Sequence, residues 1–275
     1  MLEVRDLRIA LPDRSRKPVF GPAPLLEILK GIDLSVAPGE TIGLVGESGS
    51  GKSTLARALL RLYRPSAGRI VFEGQDITDL PESALRPLRA RMQIVFQDSQ
   101  SALNPRLTVG TALAEPFLSY GRAKDSREAL RLAAGLLEHV GLAPGMAARY
   151  PHQLSGGQRQ RVGIARAIAL NPALVVADEI VSGLDVSVQA QILQLLQALR
   201  SETGMALVLI SHDLSVVRAL CEKVVVMQHG VIVESGLSAE VFAAPQHPYT
   251  RKLLRAIPLP EVDPNWIDTV DVDES

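Results

Sequence analysis

The sequence predicts an α/β fold: a parallel sheet covered by helices, with an antiparallel β portion and an inserted helical subdomain. Three observations predict it. Short β-type runs recur along the chain, several almost wholly apolar, as strands covered on both faces must be. Helical patterns lie between some of them, and that alternation builds a parallel sheet. The stretch from Asp98 to Tyr150 is helix-prone, broken at Asn104-Pro105, Gly121 and Pro144-Gly145, and carries no convincing strand.

In chain order, the strand runs are LEVRDLRIAL, TIGLVG, RIVFEG, MQIVFQ, ALVVAD, ALVLIS and VVVMQHGVIVESG. Leu11 to Pro24 is Pro-rich and basic, which suits a loop joining two strands of a hairpin. STLARALLRLY follows TIGLVG as a helix. VSVQAQILQLLQALRSE places Val188, Ile192, Leu195, Leu196 and Leu199 at helical spacing before ALVLIS begins. The helical subdomain takes in about residues 98–160. The main domain is expected over residues 1–257. Beyond it, residues 258–275 hold Glu261, Asp263, Asp268, Asp271, Asp273 and Glu274 with no basic residue, so an acidic, loosely ordered tail is expected.

Composition narrows the function. The chain has 275 residues, 47% of them hydrophobic, enough for one substantial core or a large domain with a smaller one attached. A net charge of −1 gives no one-signed field for gripping a nucleic-acid backbone, so no nucleic-acid partner is expected. Cys221 is the only cysteine, which excludes an internal disulfide and a cysteine-cluster metal site. MLEVRDLRIAL intersperses charge among its apolar residues, unlike a signal peptide, and no apolar run reaches the ~18 residues that span a bilayer. Membrane association is therefore expected to go through another protein.

GESGSGKS fits the pattern G-x-x-x-x-G-K-[ST] between an apolar strand and a helix, the context a phosphate cradle needs. Gly46, Gly49 and Gly51 let backbone N–H groups converge on phosphate oxygens. Glu47, Ser48, Ser50 and Thr54 complete the binding run. Lys52 reaches the β- and γ-phosphates, and the Ser53 hydroxyl is a Mg²⁺ ligand. This predicts a P-loop nucleoside-triphosphatase. ALVVADE ends an apolar strand in two carboxylates that alternation would point opposite ways. Asp178 is the candidate for holding Mg²⁺ through its water shell, and Glu179 for polarising the attacking water.

A second glycine-rich turn, QLSGGQRQR, also opens a helix: Ser155 is a good N-cap, and Gly156 and Gly157 free the backbone. With Gln158 it makes another anion site. Here the sequence resembles the ABC-type ATPases, whose signature is LSGGQ, and the family's other segments follow in register. Gln97 in VFQD looks like the Q-loop, a Mg²⁺ ligand that also reports nucleotide state. SGLD, ending at Asp185, looks like the D-loop, and His212 in LISHD like the switch histidine that contacts the γ-phosphate.

The resemblance implies ATP and Mg²⁺ as cofactors and two ATPase subunits, identical or homologous, arranged head to tail. Each would lend Ser155 to Gln158 to its neighbour's nucleotide. It also implies two membrane-embedded permease subunits, an indirect solute-binding protein outside the membrane, and a location on the cytoplasmic face of the bacterial inner membrane. VFQDSQSALNPRLTV, YPHQLSGGQRQRV, DVSVQAQI and HPYTRKLL are most similar to ATP-binding subunits of importers for peptides, nickel or metal chelates. An exporter subunit and a soluble, non-transport member of the family remain as alternatives. A kinase or GTPase would leave Ser155 to Gln158 and His212 without a role. The chain departs from the family pattern at Leu11, where an adenine-stacking aromatic is expected and Phe20 is the nearest substitute. SGLD stands for the commoner SALD, DEI for DEP, and one cysteine cannot supply the cysteine-rich tail many relatives carry.

Overall fold

The protein is described from a computed structural model covering residues 1–13, 15, 21–96 and 103–256. Its chain divides into two compact units, one of residues 1–85 and 208–256, the other of residues 86–207. The division puts the helical segment with strands β6 and β7 rather than setting it apart.

The first unit contains an antiparallel sheet in the order β2-β1-β4-β5, from β1 (Leu2–Pro12), β2 (Leu25–Val36), β4 (Ala67–Phe72) and β5 (Gln75–Asp76). In LEVRDLRIAL the buried residues are Leu2, Val4, Leu7 and Ile9, so the two-residue period slips by one between Val4 and Leu7. A bulge absorbs the slip. Asp6 takes φ 42°, and its amide donates to Asp33 Oδ1 at 3.0 Å. Opposite it, a Cβ on Gly68 would lie 2.2 Å from the Asp6 carbonyl oxygen, which is why a glycine stands there. β1 and β2 pair as the expected hairpin, closed at its base by Asp13 N donating to Pro24 O at 2.8 Å. Leu11 pairs with Leu26 in that ladder, and Phe20 lies outside the described residues.

The same unit holds β3 (Thr41–Val45), β8 (Ala206–Ile210) from Val208 onward, β9 (Lys223–Gln228) and β10 (Val231–Leu237), in the order β10-β9-β3-β8. β9 runs parallel to β3, with Ile42 opposite Lys223 and Val45 opposite Val226, while β10 returns antiparallel. All five residues of β3 are buried, as covering both faces requires. Helix α1 (Lys52–Leu59) is shorter than its apolar pattern suggests. It stops where Arg61 adopts φ 53° and folds inward, its Nε donating to Ile77 O at 2.8 Å.

The second unit pairs β6 (Met92–Val95) with β7 (Leu174–Asp178) in parallel and contains α2 (Glu82–Arg89) from Arg86 onward. Its other helices are α3 (Val109–Ser119), α4 (Ser126–His139), α5 (Gly156–Ile168) and α6 (Val186–Thr203). Between residues 103 and 155 no strand occurs, as the sequence implies. Thr108 caps α3 and Asp125 caps α4, each accepting an amide three residues on. Along α6 the buried stripe is Ala190, Ile192, Leu193, Leu196 and Leu199, rotated slightly from the one read off the sequence. Among the described residues, no helix is long and apolar enough to cross a membrane.

Helix α7 (Leu214–Leu220) lies so close to β3 that a Cβ on Gly43 would fall 2.2 Å from Val217 Cγ1 and 3.3 Å from the buried Cys221 Sγ. Overpacking of this kind costs about 1–3 kcal/mol. Gly43→Ala is therefore expected to destabilise the protein by that amount in urea denaturation, with the double variant Gly43→Ala/Val217→Ala recovering most of the loss.

Candidate active site

β3 feeds the phosphate cradle directly. Gly46 (φ 148°), Gly49 (φ 79°) and Gly51 (φ 105°) all lie in the region that favours glycine. The reason differs along the loop. A Cβ on Gly46 would meet the Met227 carbonyl oxygen at 2.2 Å, whereas one on Gly49 meets nothing within 4 Å and only the backbone angle demands glycine. The loop is braced from the β9–β10 turn, where Gly230 N donates to Ser50 O at 2.9 Å. Thr54 lies in the first turn of α1, half-buried like Ser53.

Lys52 is the first residue of α1 and 6% exposed. Its ammonium donates to Gly46 O at 2.8 Å and Glu47 O at 2.9 Å, and lies 3.5 Å from Ser50 Oγ. A cation beside the positive end of a helix dipole is unfavourable by itself. No acidic residue occupies the first turn of α1, and its N-cap Gly51 offers no side-chain cap. Glycines, open helix amides and an ammonium able to exchange carbonyls for an anion fit a polyphosphate.

In the second unit, β7 delivers Asp178, 3% exposed, and ends there. Glu179 lies beyond the strand at φ 50°, so a left-handed backbone and not the strand's alternation sets its direction. That conformation costs a non-glycine residue free energy and is found where the surroundings fix a functional side chain. The following turn closes with Ser182 N donating to Glu179 O at 3.1 Å, and Gln189 Nε2 holds Val181 O and Leu184 O. The Asp178 carboxylate is a hard oxygen donor of the kind Mg²⁺ prefers. Among the described residues, no cluster of three metal-binding side chains occurs. Gln97 lies outside the described residues.

The second glycine-rich turn is a capping box. Ser155 Oγ accepts from Gln158 N at 3.2 Å, and Ser155 N donates to Gln158 Oε1 at 3.0 Å. Ser155 is exposed, and α5 has no acidic residue in its first turn, so the helix's positive end is not offset from within that turn. The glycines also serve packing. A Cβ on Gly156 would lie 3.3 Å from Leu184 Cδ2, and one on Gly157 2.6 Å from Val188 Cγ1. The signature turn thus lies directly on the SGLD segment.

Asp185 turns out to be the N-cap of α6. Its carboxylate accepts from Val188 N at 2.9 Å and Ser187 Oγ at 2.8 Å. The Val188 amide first, then the Ser187 hydroxyl, holds this exposed carboxyl below the usual aspartate range. His212 is exposed after β8, between Ser211, which accepts from Asp213 N at 3.0 Å, and Asp213, which caps α7 through Ser215 N at 2.9 Å. Sequence reading missed Tyr249. It lies in HPYTRKLL, 202 residues from Glu47, yet its hydroxyl accepts from Glu47 N at 2.8 Å. No spacing rule reports so distant a pair.

A glycine turn at the end of a parallel strand, opening a helix whose first residue is a buried lysine, defines a P-loop nucleotide-binding protein. Residues 29–182 match the family described as ABC transporter, and residues 233–272 match the oligopeptide/dipeptide transporter C-terminal region. Over 238 residues the chain is 52% identical to the probable peptide ABC transporter ATP-binding protein y4tS of Sinorhizobium fredii, covering 86% of this chain and 67% of that one. It is 50% identical over 260 residues to the glutathione import ATP-binding protein GsiA of Salmonella paratyphi A, covering 94% of this chain but only 41% of that protein's length. Among solved structures, the ATP-binding cassette MJ0796, as a post-hydrolysis dimer bound to ADP and Pi, matches with TM-score 0.75 at 30% identity over 86% of this chain and 99% of that one. The cbiO1 protein of Clostridium perfringens, part of an ABC transporter complex, matches with TM-score 0.74 at 29% identity over 88% of this chain and 90% of that one. The chain belongs to the ABC transporter family, as an ATP-binding ATPase cassette of P-loop fold.

Two outcomes test the signature turn and its neighbour. Gly157→Ala is expected to lower stability by about 1–3 kcal/mol, and Val188→Ala to relieve most of it, a coupling that a double-mutant cycle in urea measures. Because Asp185 is held below its ordinary value, its cap is at full strength above the unfolded aspartate pKa of about 3.9 and weakens as pH falls through the folded value. The melting-temperature difference between wild type and Asp185→Asn is therefore expected to be constant near neutral pH and to change below pH about 4.

Proposed function

We propose that this chain is the ATP-hydrolysing subunit of a membrane importer for di- or oligopeptides or a related small solute. The observation that carries the reading is the pairing of a braced phosphate loop with a C-terminal segment of oligopeptide-transporter type in one chain. The peptide and glutathione import names of its relatives support the same branch. That C-terminal match also favours import over export.

In this reading the amides of Gly46 to Thr54 and the Lys52 ammonium bind the ATP phosphates. Lys52 exchanges two loop carbonyls for phosphate oxygens. Ser53 and Gln97 would be the protein ligands of Mg²⁺, and Asp178 would act through its water shell. When bound, Mg²⁺ would supply positive charge that offsets that of the phosphates. Glu179 takes the proton of the attacking water as general base, and His212 holds that water against the γ-phosphate. Ser155 to Gln158 serve a second ATPase subunit, presenting the open amides of α5 to that subunit's nucleotide, with Asp185 beside the turn. Two subunits then close around ATP and reopen after hydrolysis, driving two permease subunits from the cytoplasmic face of the membrane. The dimeric form of MJ0796 supports this arrangement.

The assignment is tested with two variants. Glu179→Gln is expected to bind ATP but turn over at least about 100-fold more slowly, in keeping with the ~10²- to 10⁴-fold worth of a general base. Ser155→Arg is expected to keep ATP binding in calorimetry and lose hydrolysis. Normal steady-state turnover in either variant removes that residue from its role.

A further inference from the structure

Helix α8 (Pro248–Ala256) begins inside the HPY segment, and nothing in the hydrolysis scheme uses it. The segment is nevertheless tied down residue by residue. Glu234 on β10 accepts Gln246 N on Oε1 at 2.7 Å and His247 N on Oε2 at 3.0 Å. His247 Nδ1 accepts from Tyr249 N at 3.2 Å, and Arg251 Nη1 donates back to Pro245 O and Gln246 O. The result of this anchoring is a tyrosine only 6% exposed whose hydroxyl reaches the phosphate loop.

The bond it makes there is to one peptide unit. The Gly46 carbonyl accepts from the Lys52 ammonium at 2.8 Å, and the N–H of that same peptide, Glu47 N, donates to the Tyr249 hydroxyl at 2.8 Å. Lys52 and Tyr249 therefore hold the two ends of a single peptide plane. Lys52 must release its end to reach phosphate. The plane is flanked by Gly46 at φ 148°, a residue with little resistance to backbone rotation, so a free plane could turn over and exchange an N–H for a carbonyl oxygen.

We propose that Tyr249 is a positioning residue for ATP binding: its hydroxyl fixes the Gly46–Glu47 peptide plane while Lys52 transfers from the loop carbonyls to the nucleotide. This rests on the reading of Gly46 to Thr54 as the ATP phosphate site. It gives the HPY segment a role within the cassette itself, coupling the C-terminal helix to nucleotide affinity. The nearby Lys252–Glu47 ion pair, at 3.8 Å between exposed side chains, is too weak to do this alone.

The test uses the full chain and MgATP. Tyr249→Phe keeps the buried ring and removes only the hydroxyl. Losing one such hydrogen bond is expected to raise the Kd for ATP about three- to tenfold, with the melting temperature nearly unchanged. Amide hydrogen exchange at Glu47 in the nucleotide-free protein is expected to speed up by a similar factor, while kcat stays close to wild type and KM rises. A merely structural tyrosine would lower the melting temperature and leave Glu47 exchange and ATP affinity alone, which overturns the proposal, as does an unchanged Kd. Lys52→Ala is run alongside. If it binds ATP as tightly as wild type, the phosphate-site reading itself fails, independently of Tyr249.

Discussion

A buried ammonium at the positive end of a helix is the constraint on which the nucleotide chemistry depends. Lys52 is nearly inaccessible, begins α1, and has no acidic residue in that helix's first turn to offset it. Burying a charge is costly unless it is paired. Its partners include the carbonyls of Gly46 and Glu47, neutral groups that hold the ammonium without competing strongly with a phosphate. Glycines at positive φ, the open amides of the α1 N-terminus and this ammonium together form a cradle whose chemistry suits a polyphosphate.

Holding such a loop requires outside support, because three residues at positive φ give it little stiffness of its own. The support comes from the strands and the C-terminal helix of the same unit. Met227 closes over Gly46, Gly230 N holds Ser50 O, and Tyr249 holds Glu47 N. Glu234 anchors the HPY segment. Burial works to raise its carboxyl, but the hydrogen bonds it accepts outweigh that and hold it below the usual glutamate range. Its carboxylate thus stays charged across the neutral range. The second unit repeats the strategy with other means. There the signature turn is set by a capping box, and its glycines are dictated as much by Leu184 and Val188 as by any anion.

Much of this was legible from sequence because local rules govern it. The glycine turn before Lys52, the Ser155 cap and the apolar strand ending at Asp178 are each written within about ten consecutive residues, and the structure forms each at the place read. β2 does not stand out as a strand run because Gly31 and charged residues interrupt its pattern, although it is a 12-residue strand. The bulge at Asp6 depends on Gly68 across the sheet, and Asp185 took a capping role that its motif does not announce. The sequence pattern puts Glu179 on the strand, but β7 ends one residue earlier. Tyr249 was hidden for a simpler reason: its partner is 202 residues away. Features fixed by neighbours in sequence were visible, and those fixed by neighbours in space were not.

The central claim is that hydrolysis is shared, each chain supplying Ser155 to the triphosphate bound by another chain's Lys52. Turnover per chain measured across a wide dilution series tests it most directly. Shared catalysis predicts that specific activity falls as the protein is diluted and recovers on adding Glu179→Gln chains, which still offer an intact Ser155 turn. Specific activity that stays constant down to concentrations where the protein is wholly monomeric would contradict it.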